Sequence, residues 1–395
     1  MSNIPTFNTL ERLKILRVEY LANLTGILLN ASESSPAGQY SHLKVFVGRE
    51  LWEALLDAPG QYSHLKVVHI NECPQLMKLF TSNLMSELKN LEKIEVRNCH
   101  AMEELIAVER SPKEFFLPKL KRLSLVDMPK LKSICSSNGV MVCESLQVID
   151  IWNCSRLKKI LSSSSKLQLG VLKNLEEITA VFCDEMEEII AIDDVDCKKE
   201  LIISLPKLRK LTLKDMQELK SIINVCGSNG VILVCDSLQV IDIQGCRKLK
   251  KILSSSSKLQ LGVLKNLEEI DVRGCIEMEE IIAIDDVDCK KELIISLPKL
   301  RKLTLLRMRE LKSIINVCGS NRVLMVCDSL QEIVIWGCPQ LKRLPIYVGV
   351  DEKGEPSPPP ALKKIDVIRG WWEALEWDHL HPSAKTILLP FCEFD

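Results

Sequence analysis

Aromatic residues are scarce in this chain: Phe, Trp and Tyr together make up 5% of the 395 residues, against 46% for all hydrophobic types. With so few rings, the core must be built from many similar layers of branched aliphatic side chains. Neither sign of charge predominates either: the chain has 52 Lys and Arg against 53 Asp and Glu, which gives a formal net charge of −1. Without a global positive field or a basic stripe interleaved with aromatic residues, we expect no nucleic-acid partner.

Long hydrophobic runs are absent. No stretch approaches the roughly 20 apolar residues that cross a bilayer, and residues 1–20 lack a charged segment followed by an apolar run. We therefore expect no membrane span, no export signal, and a location in the cytoplasm or the nucleus. In either compartment the sixteen Cys should be reduced thiols.

Catalytic and metal-binding motifs are missing as well. There is no Cys-x-x-Cys or Cys-x-x-His pair with zinc spacing, and the six His pair with no nucleophile or carboxylate at a motif spacing. The acidic runs 193–196 and 285–288 lack the ligand spacing of a calcium loop, so solvated loops are favoured there. We predict that the chain is not an enzyme and binds neither cofactor nor metal.

Internal repetition is what the sequence has in abundance. Residues 145–236 and 237–328 form a tandem duplication in which only about fifteen positions differ. We call these segments the first copy and the second copy. The counterpart of a first-copy residue lies 92 positions later.

A shorter period runs through and beyond the two copies. Leu146, Ile149, Ile151, Cys154 and Leu157 match the leucine-rich-repeat template L-x-x-L-x-L-x-x-(N/C)-x-x-L. The same register begins at thirteen positions: Leu13, Leu43, Leu65, Leu91, Leu120, Leu146, Leu175, Leu208, Leu238, Leu267, Leu300, Leu330 and Leu362.

This template predicts an α/β repeat fold, a leucine-rich-repeat solenoid of about 13 repeats. Alternate residues of each L-x-L strand face opposite ways, so parallel strands would form the concave sheet of a curved horseshoe. We expect irregular or short helical segments on the convex side. The whole chain, 1–395, is predicted to be one domain, with irregular repeats over 1–60, regular repeats over 61–345, and a Pro-rich loop and Trp-rich cap over 346–395.

Cysteine recurs at one turn position of the template. We expect buried core thiols that make weak hydrogen bonds to the turn backbone, and we favour this over a metal site. Methionine replaces cysteine there in three repeats. The position is occupied by Cys73, Cys99, Met128, Cys154, Cys183, Met216, Cys246, Cys275, Met308 and Cys338.

The two ends differ in character. Trp371, Trp372 and Trp377 follow the last strand at spacings that fit an amphipathic turn. A hydrophobic lid is the favoured interpretation, with a binding hot spot as the alternative. Met1 leads almost directly into a repeat, which would leave an apolar layer uncovered. This uncovered layer predicts either that another domain precedes the repeats or that the chain is a truncated piece of a longer protein.

Three features together resemble the leucine-rich-repeat region of plant disease-resistance proteins of the coiled-coil, nucleotide-binding, leucine-rich-repeat class. The first is the repeat L-P-K-L-(K/R)-x-L-x-L at Leu117, Leu205 and Leu297. The second is the strand S-L-Q-x-I-x-I-x-x-C at residues 145, 237 and 329, and the third is the Trp-containing tail 358–378. The resemblance covers essentially the whole chain.

The resemblance implies a role in defence against pathogens. In that class the repeats follow a nucleotide-binding switch domain, restrain it at rest, and help to recognise pathogen effectors or guarded host proteins. The chain departs from the class because it contains no G-x-x-x-x-G-K-[ST] phosphate loop and no heptad-patterned N-terminal segment. Nucleotide binding is therefore not implied for these residues. A nucleotide-binding domain is expected only as a partner, in cis or in trans.

The differences between the copies point to a binding surface. They gather around 152–156, 179–184 and 214–217, while the Ser-rich and Asp-rich loops are identical. We hypothesise that the concave strand face and its adjoining edge bind protein, and we favour this over neutral drift. The candidate residues are Trp152, Asn153, Ser155, Arg156, Thr179, Val181, Phe182, Lys214, Asp215, Gln217, Gln244, Arg247, Lys248, Asp271, Arg273, Arg307, Arg309 and Trp336.

The alternative function is a stand-alone repeat adaptor or decoy, such as the substrate receptor of a ubiquitin ligase. That receptor would need an F-box-like helical segment, and none is recognisable before the repeats. A secreted repeat receptor would need an export signal, paired Cys caps and Asn at the turn. The sequence favours the immune-receptor interpretation.

Overall fold

A computed structural model of the protein describes most of the repeats. The described residues are 14–19, 43–44, 63–81, 88–107, 113–135, 139–164, 172–193, 201–225, 231–256, 264–285, 293–317, 323–347, 349–350, 356–377 and 382–395. They belong to two compact units. Unit 1 contains Met1–Asp196 and Ile223–Gly227, and unit 2 contains Cys197–Ile222 and Ser228–Asp395.

Unit 1 is a parallel solenoid. Its long sheet has the strand order β2-β1-β3-β5-β8-β11-β13, and shorter parallel sheets β4-β6-β9, β7-β10 and β12-β14 form a second side. The strands are β1 (Ile15–Glu19), β2 (Leu43–Lys44), β3 (Val67–Asn71), β4 (Lys78–Thr81), β5 (Lys93–Arg97), β6 (Glu104–Ala107), β7 (Lys113–Phe116), β8 (Arg122–Val126), β9 (Ser133–Cys135), β10 (Gly139–Val142), β11 (Val148–Trp152), β12 (Leu161–Ser164), β13 (Glu177–Val181) and β14 (Glu188–Asp193).

Unit 2 repeats this organisation. Its long parallel sheet has the order β16-β19-β21-β24-β27-β30-β31, and its second side contains β15-β18, β20-β22-β25 and β23-β26. The elements are β15 (Leu201–Ser204), β16 (Lys210–Lys214), β17 (Ser221–Val225, which has residues of both units), β18 (Val231–Val234), β19 (Val240–Gln244), β20 (Leu253–Ser256), β21 (Glu269–Arg273), β22 (Glu280–Asp285), β23 (Leu293–Ser296), β24 (Lys302–Leu306), β25 (Ser313–Val317), β26 (Val323–Val326), β27 (Glu332–Trp336), β28 (Gly349–Val350), β29 (Pro356–Ser357), β30 (Lys364–Val367), α1 (Arg369–Glu373), α2 (Ala384–Leu388) and β31 (Cys392–Phe394).

The alternation of side chains follows the template. In β11 the second and fourth residues, Ile149 and Ile151, are completely buried, while Val148, Asp150 and Trp152 face outward. Leu211 and Leu213 of β16 are buried in the same way. Burying each such aliphatic side chain contributes roughly 1.5–3 kcal/mol, so stacked layers offset the chain entropy that one repeat alone does not. The predicted leucine-rich-repeat solenoid is confirmed.

The repeat count differs slightly from the prediction. The short strand at Leu43 pairs with the outer side of β1, and β1 pairs directly with β3. The repeat that begins at Leu43 is therefore not a layer between those at Leu13 and Leu65. The other twelve predicted repeats each have a template strand among the described residues.

The second side consists of short strands where helical segments were expected. Its sequences, such as Glu188–Asp193 (EIIAID) and Leu201–Ser204 (LIIS), are rich in β-branched residues, which favour strand backbone and pair in parallel with the equivalent segment of the next repeat. Among the described residues, α-helix occurs only after β30, at α1 and α2. No helix in the described part of the chain is long and apolar enough to span a bilayer.

The turn cysteines are buried thiols, as predicted. Each donates its Sγ hydrogen to the backbone oxygen two residues earlier, at 3.3 Å for Cys99 to Arg97 and 3.6 Å for Cys246 to Gln244. Met128, Met216 and Met308 fill the same core position and are equally buried. The interchange works because the position needs an apolar, polarisable side chain more than it needs the weak hydrogen bond.

Two of the three tryptophans after β30 pack together, and the third lies apart from them. Trp372 of α1 is completely buried, with its ring centroid 4.9 Å from that of Trp377 and 6.3 Å from that of Phe394. Trp371 donates its indole N–H to the backbone oxygen of Leu341 at 3.0 Å. The Arg369 guanidinium lies 4.2 Å over the Phe394 ring. The tail therefore packs as an aromatic cluster beside β30 and β31.

Candidate protein-binding edges

Each template strand from β3 to β27 is followed directly by a residue with left-handed backbone, that is, with positive φ. The φ angles lie between 51° and 67° at Glu72, Asn98, Asp127, Asn153, Phe182, Asp215, Gly245, Gly274, Arg307 and Gly337. In most of these repeats the amide of this residue donates to the fifth strand residue of the next repeat, for example from Asn153 to Val181 at 2.9 Å and from Gly274 to Leu306 at 2.8 Å. The chain thus leaves every strand through the same sharp corner.

We define one edge in each unit from the corners at Asp127 and beyond. Edge 1, in unit 1, comprises residues 126–130, 152–156 and 181–185. Edge 2, in unit 2, comprises residues 214–218, 244–248, 273–277, 306–310 and 336–340. Each segment contains the last strand residue, the left-handed residue and the turn that follows.

Sixteen of the eighteen predicted binding residues lie on these edges. Six are last strand residues (Trp152, Val181, Lys214, Gln244, Arg273, Trp336), four are left-handed residues (Asn153, Phe182, Asp215, Arg307), and six are turn residues (Ser155, Arg156, Gln217, Arg247, Lys248, Arg309). The remaining two, Thr179 and Asp271, lie at the middle of their strands. Val181 and Asp271 are buried, so they offer little surface to a partner.

The acidic side chains at the middle of the strand face form ion pairs with Lys and Arg side chains of the same unit. Lys93 Nζ lies 2.9 Å from Glu95 in unit 1, and Lys214 Nζ lies 2.7 Å from Asp242 in unit 2. Arg273 donates from Nε and Nη2 to the two carboxylate oxygens of Asp271, at 2.6 Å each. The mid-strand carboxylates Asp242 and Asp271 are therefore already paired with the edge residues Lys214 and Arg273, so a partner reaches side chains of the edges more directly than those of the face.

Edge 1 exposes two large aromatic side chains on neighbouring strands. Trp152 ends β11 and is 42% exposed, and Phe182 follows β13 and is 51% exposed. The Trp152 indole N–H donates to Asp150 at 2.6 Å, which orients the ring without covering it. The Asn153 amide donates to Asp127 at 2.7 Å and stiffens the corner between them.

Edge 2 has six cationic side chains against four acidic ones. Lys248 pairs with Glu218 at 2.6 Å, and the hydrogen bonds from Arg273 to Asp271 raise the pKa of that guanidinium above its usual value. Arg247, Arg307 and Arg309 are exposed. Edge 2 therefore differs in chemistry from edge 1, although most of it derives from the same duplicated sequence.

The structure also locates the differences between the copies. Eleven of the fifteen differences fall either at outward positions of a strand or in the turn that follows it. One more, Ala180 against Val272, is the buried fourth residue of its strand. The other three pairs are 230/322, 232/324 and 233/325, outside the edges. From the sequence we did not predict that a residue with positive φ follows each template strand. The recurrence of Asn, Asp and Gly at that position could have indicated it, because these residues tolerate positive φ.

The described residues present little else that suggests chemistry. No three His, Cys, Asp or Glu side chains among them are grouped so that they could hold a metal ion. Burial raises the pKa of the Cys183 and Cys338 thiols to about 11 and that of Cys235 to about 12. Thiols of this kind stay protonated at neutral pH and are poor nucleophiles.

Comparison with known proteins agrees with the resemblance inferred from the motifs. The chain is 26% identical over 276 residues to Disease resistance protein At4g27190 of Arabidopsis thaliana, which covers 68% of this chain and 24% of the relative. It is 31% identical over 189 residues to Probable disease resistance protein At4g27220 of the same plant, covering 46% of this chain and 19% of the relative. The chain thus spans about a quarter or less of the length of these relatives.

One solved structure, that of the pneumococcal vaccine antigen PcpA, aligns with 83% of this chain at 12% identity, and its TM-score of 0.14 is too low to inform the fold. The family model for plant disease resistance protein RPS2-like leucine-rich repeats matches residues 38–176, 164–264 and 256–348. These matches cover well over half of the chain. The chain therefore belongs to the RPS2-like leucine-rich-repeat family of plant disease resistance proteins.

Proposed function

We propose that this chain is the sensing and autoinhibitory repeat region of an intracellular plant immune receptor, and that edge 1 binds a protein partner. The partner is a pathogen effector or a guarded host protein, and a nucleotide-binding domain, in cis or in trans, is the second partner. The repeats act as a scaffold without catalysis or cofactor. The names of the two relatives, both disease resistance proteins, support the immune context.

The exposed pair Trp152 and Phe182 carries the proposal. Large aromatic side chains supply most of the binding energy at protein interfaces, and exposing them without a partner is unfavourable. Both positions differ between the copies, where the second copy has Gln244 and Gly274. Between them the buried residues are unchanged except at Ala180 and Val181, so the divergence altered mainly the surface and kept the fold.

A site-specific crosslinking experiment tests edge 1. Benzoylphenylalanine replaces Phe182 in the full chain expressed in plant cells, and irradiation traps proteins at that position. Phe116 is a matched control site, because it is also in unit 1 and is 50% exposed, but it lies on β7 of the second side. We expect discrete adducts from position 182 that are absent from position 116.

A second variant makes the result specific. Trp152→Gln introduces the residue of the second copy and removes the neighbouring ring, so it should reduce the adducts at position 182 at least severalfold. Circular dichroism of the purified variants checks that the fold is intact. Identical adducts at positions 116 and 182, or adducts that are insensitive to Trp152→Gln, would refute binding at edge 1.

A further inference from the structure

The charge of the duplicated edge changed during divergence. Twelve of the fifteen differences fall in the three groups at 152–156, 179–184 and 214–217 and their counterparts. In the first copy these positions carry Arg156 and Lys214 against Asp184 and Asp215, so the formal charges cancel. In the second copy they carry five cations against one acid, a formal excess of four positive charges. The cations are Arg247, Lys248, Arg273, Arg307 and Arg309, and the acid is Asp271.

Three of these cations are available to a partner. Arg247, Arg307 and Arg309 are exposed, and no carboxylate among the described residues forms an ion pair with them. Edge 2 as a whole contains six cationic side chains against four acidic ones, which are Asp215, Glu218, Glu277 and Glu310. Glu277 and Glu310 have glutamate counterparts in the first copy, so they do not contribute to the difference between the copies.

The fourth cation, Arg273, is held in place. Thr179 and Val181 of the first copy are replaced together by Asp271 and Arg273, and the new carboxylate binds the new guanidinium through two hydrogen bonds of 2.6 Å. Asp271 is nearly buried, whereas the Arg273 side chain is 43% exposed. A preorganised guanidinium loses less conformational entropy when it binds an anionic group.

Apolar side chains accompany the last arginines and continue the row beyond them. Leu306 and Trp336 are the last residues of β24 and β27, and Ile368, directly after β30, is 40% exposed. The Trp336 indole N–H donates to Asp366 at 2.8 Å, which fixes the ring. Edge 2 and Ile368 together thus offer a row of guanidinium groups that runs into an apolar strip at the corner of Leu306 and Arg307.

We propose that edge 2 is a docking surface for an acidic protein segment that carries an apolar anchor. The inference rests on the proposed protein-binding function and assigns edge 2 a partner distinct from that of edge 1. Adjacent strands lie about 4.8 Å apart, so the turns that carry Arg247 and Arg309 are separated by two strand spacings, about 10 Å. An extended segment places alternate side chains about 7 Å apart, so a few of its carboxylates span the cationic part of the edge. The apolar anchor then contacts Leu306, Trp336 and Ile368.

Fluorescence anisotropy with a defined probe tests the proposal. The probe is a fluorescein-labelled peptide, Glu-Glu-Leu-Glu-Glu-Phe-Glu-Glu, titrated with the full chain at low salt. The triple variant Arg247→Ser, Arg307→Asp and Arg309→Gln installs the residues of the first copy. The control triple Lys251→Glu, Lys265→Gln and Arg301→Gln gives the same change in formal charge at exposed unit 2 positions outside the edge.

We expect the edge triple to weaken peptide binding about tenfold, because three exposed ion pairs with the peptide are lost, and the control triple to change it less than twofold. Binding should fall as salt rises, and the Gln analogue of the peptide should bind much more weakly. Equal binding by the edge triple and the wild type would overturn the proposal. So would equal binding of the Gln analogue, or tighter binding of a ten-nucleotide oligothymidylate than of the peptide. Crosslinking at Phe182 reports on edge 1 separately, so failure there and failure here are distinguishable.

Discussion

Phe182 and Gly274 occupy the same left-handed corner of the duplicated repeat, with φ angles of 55° and 65°. Glycine adopts this backbone at no steric cost, whereas a bulky L-residue in it is uncommon. The first copy therefore holds an exposed phenylalanine at a position where glycine is the better backbone choice. Such strain is characteristic of residues retained for what their side chains do.

Phe182→Gly should stabilise the chain slightly. Removing the steric cost of a left-handed phenylalanine should raise the free energy of unfolding by about 1–2 kcal/mol. The larger conformational entropy that glycine loses on folding should lower it by about 0.5–1 kcal/mol. We expect a net gain of up to about 1 kcal/mol, measured as a higher urea midpoint for unit 1.

The reverse change, Gly274→Phe, is the matched control and should destabilise by about 1 kcal/mol. A Cβ at Gly274 meets nothing closer than 3.7 Å, so the cost is conformational and not a clash. A clear loss of stability in Phe182→Gly would mean that the ring makes packing contacts that outweigh the backbone strain.

Alkaline pH should weaken the fold through the buried thiols. Burial raises the pKa of Cys183 and Cys338 from 9.0 to about 11. The unfolded chain loses these protons near pH 9, while the folded chain retains them until about pH 11. Because the unfolded state then binds fewer protons, the free energy of unfolding is unaffected below pH 9 and falls as pH rises from 9 towards 11.

Urea midpoints measured from about pH 8 to about pH 10 check this expectation. Cys338→Ala removes one titrating thiol, so its midpoint should fall less steeply with pH than that of the wild type. An identical slope in the two proteins would show that Cys338 ionises equally in both states.

Trp372→Ala should release the C-terminal cluster. The side chain is fully buried against Trp377 and Phe394, and truncating such a residue costs about 3–5 kcal/mol. Because each repeat packs only on its neighbours, we expect faster amide exchange in 364–395 and little change in unit 1. Trp152→Ala is the control, and as an exposed substitution it should change stability by less than about 0.5 kcal/mol. Uniformly faster exchange throughout both units would contradict a local role for Trp372.

The Asp271–Arg273 pair should show measurable coupling. A double-mutant cycle with Asp271→Ala and Arg273→Ala is expected to give about 0.5–1 kcal/mol at low salt, since Arg273 remains partly exposed. High salt should reduce this value, because the exposed side of the pair is screened. Zero coupling at low salt would mean that Asp271 does not hold the guanidinium, and edge 2 would lose its preorganised cation.

The layered core was predictable because it depends on local periodicity. Ile149 and Ile151 could be assigned to the core from their spacing alone, since successive side chains of a strand point to opposite sides. The turn position of Cys154 and Met216 followed from the same register. The positions of the candidate binding residues were predictable only in part, because Trp152 and Thr179 both occupy variable positions of the template, yet only Trp152 is on an edge.

The composition and spacing of the chain determined by themselves that it forms a leucine-rich-repeat solenoid, that its turn cysteines are buried, and that its two copies diverge near the strand ends. The tertiary structure decided that the second side is built from strands, that Leu43 does not form an inserted layer, and that Asp271 is covered by Arg273. These outcomes depend on which repeat pairs with which and on how side chains from neighbouring strands meet. Such contacts are long-range, and no local period encodes them.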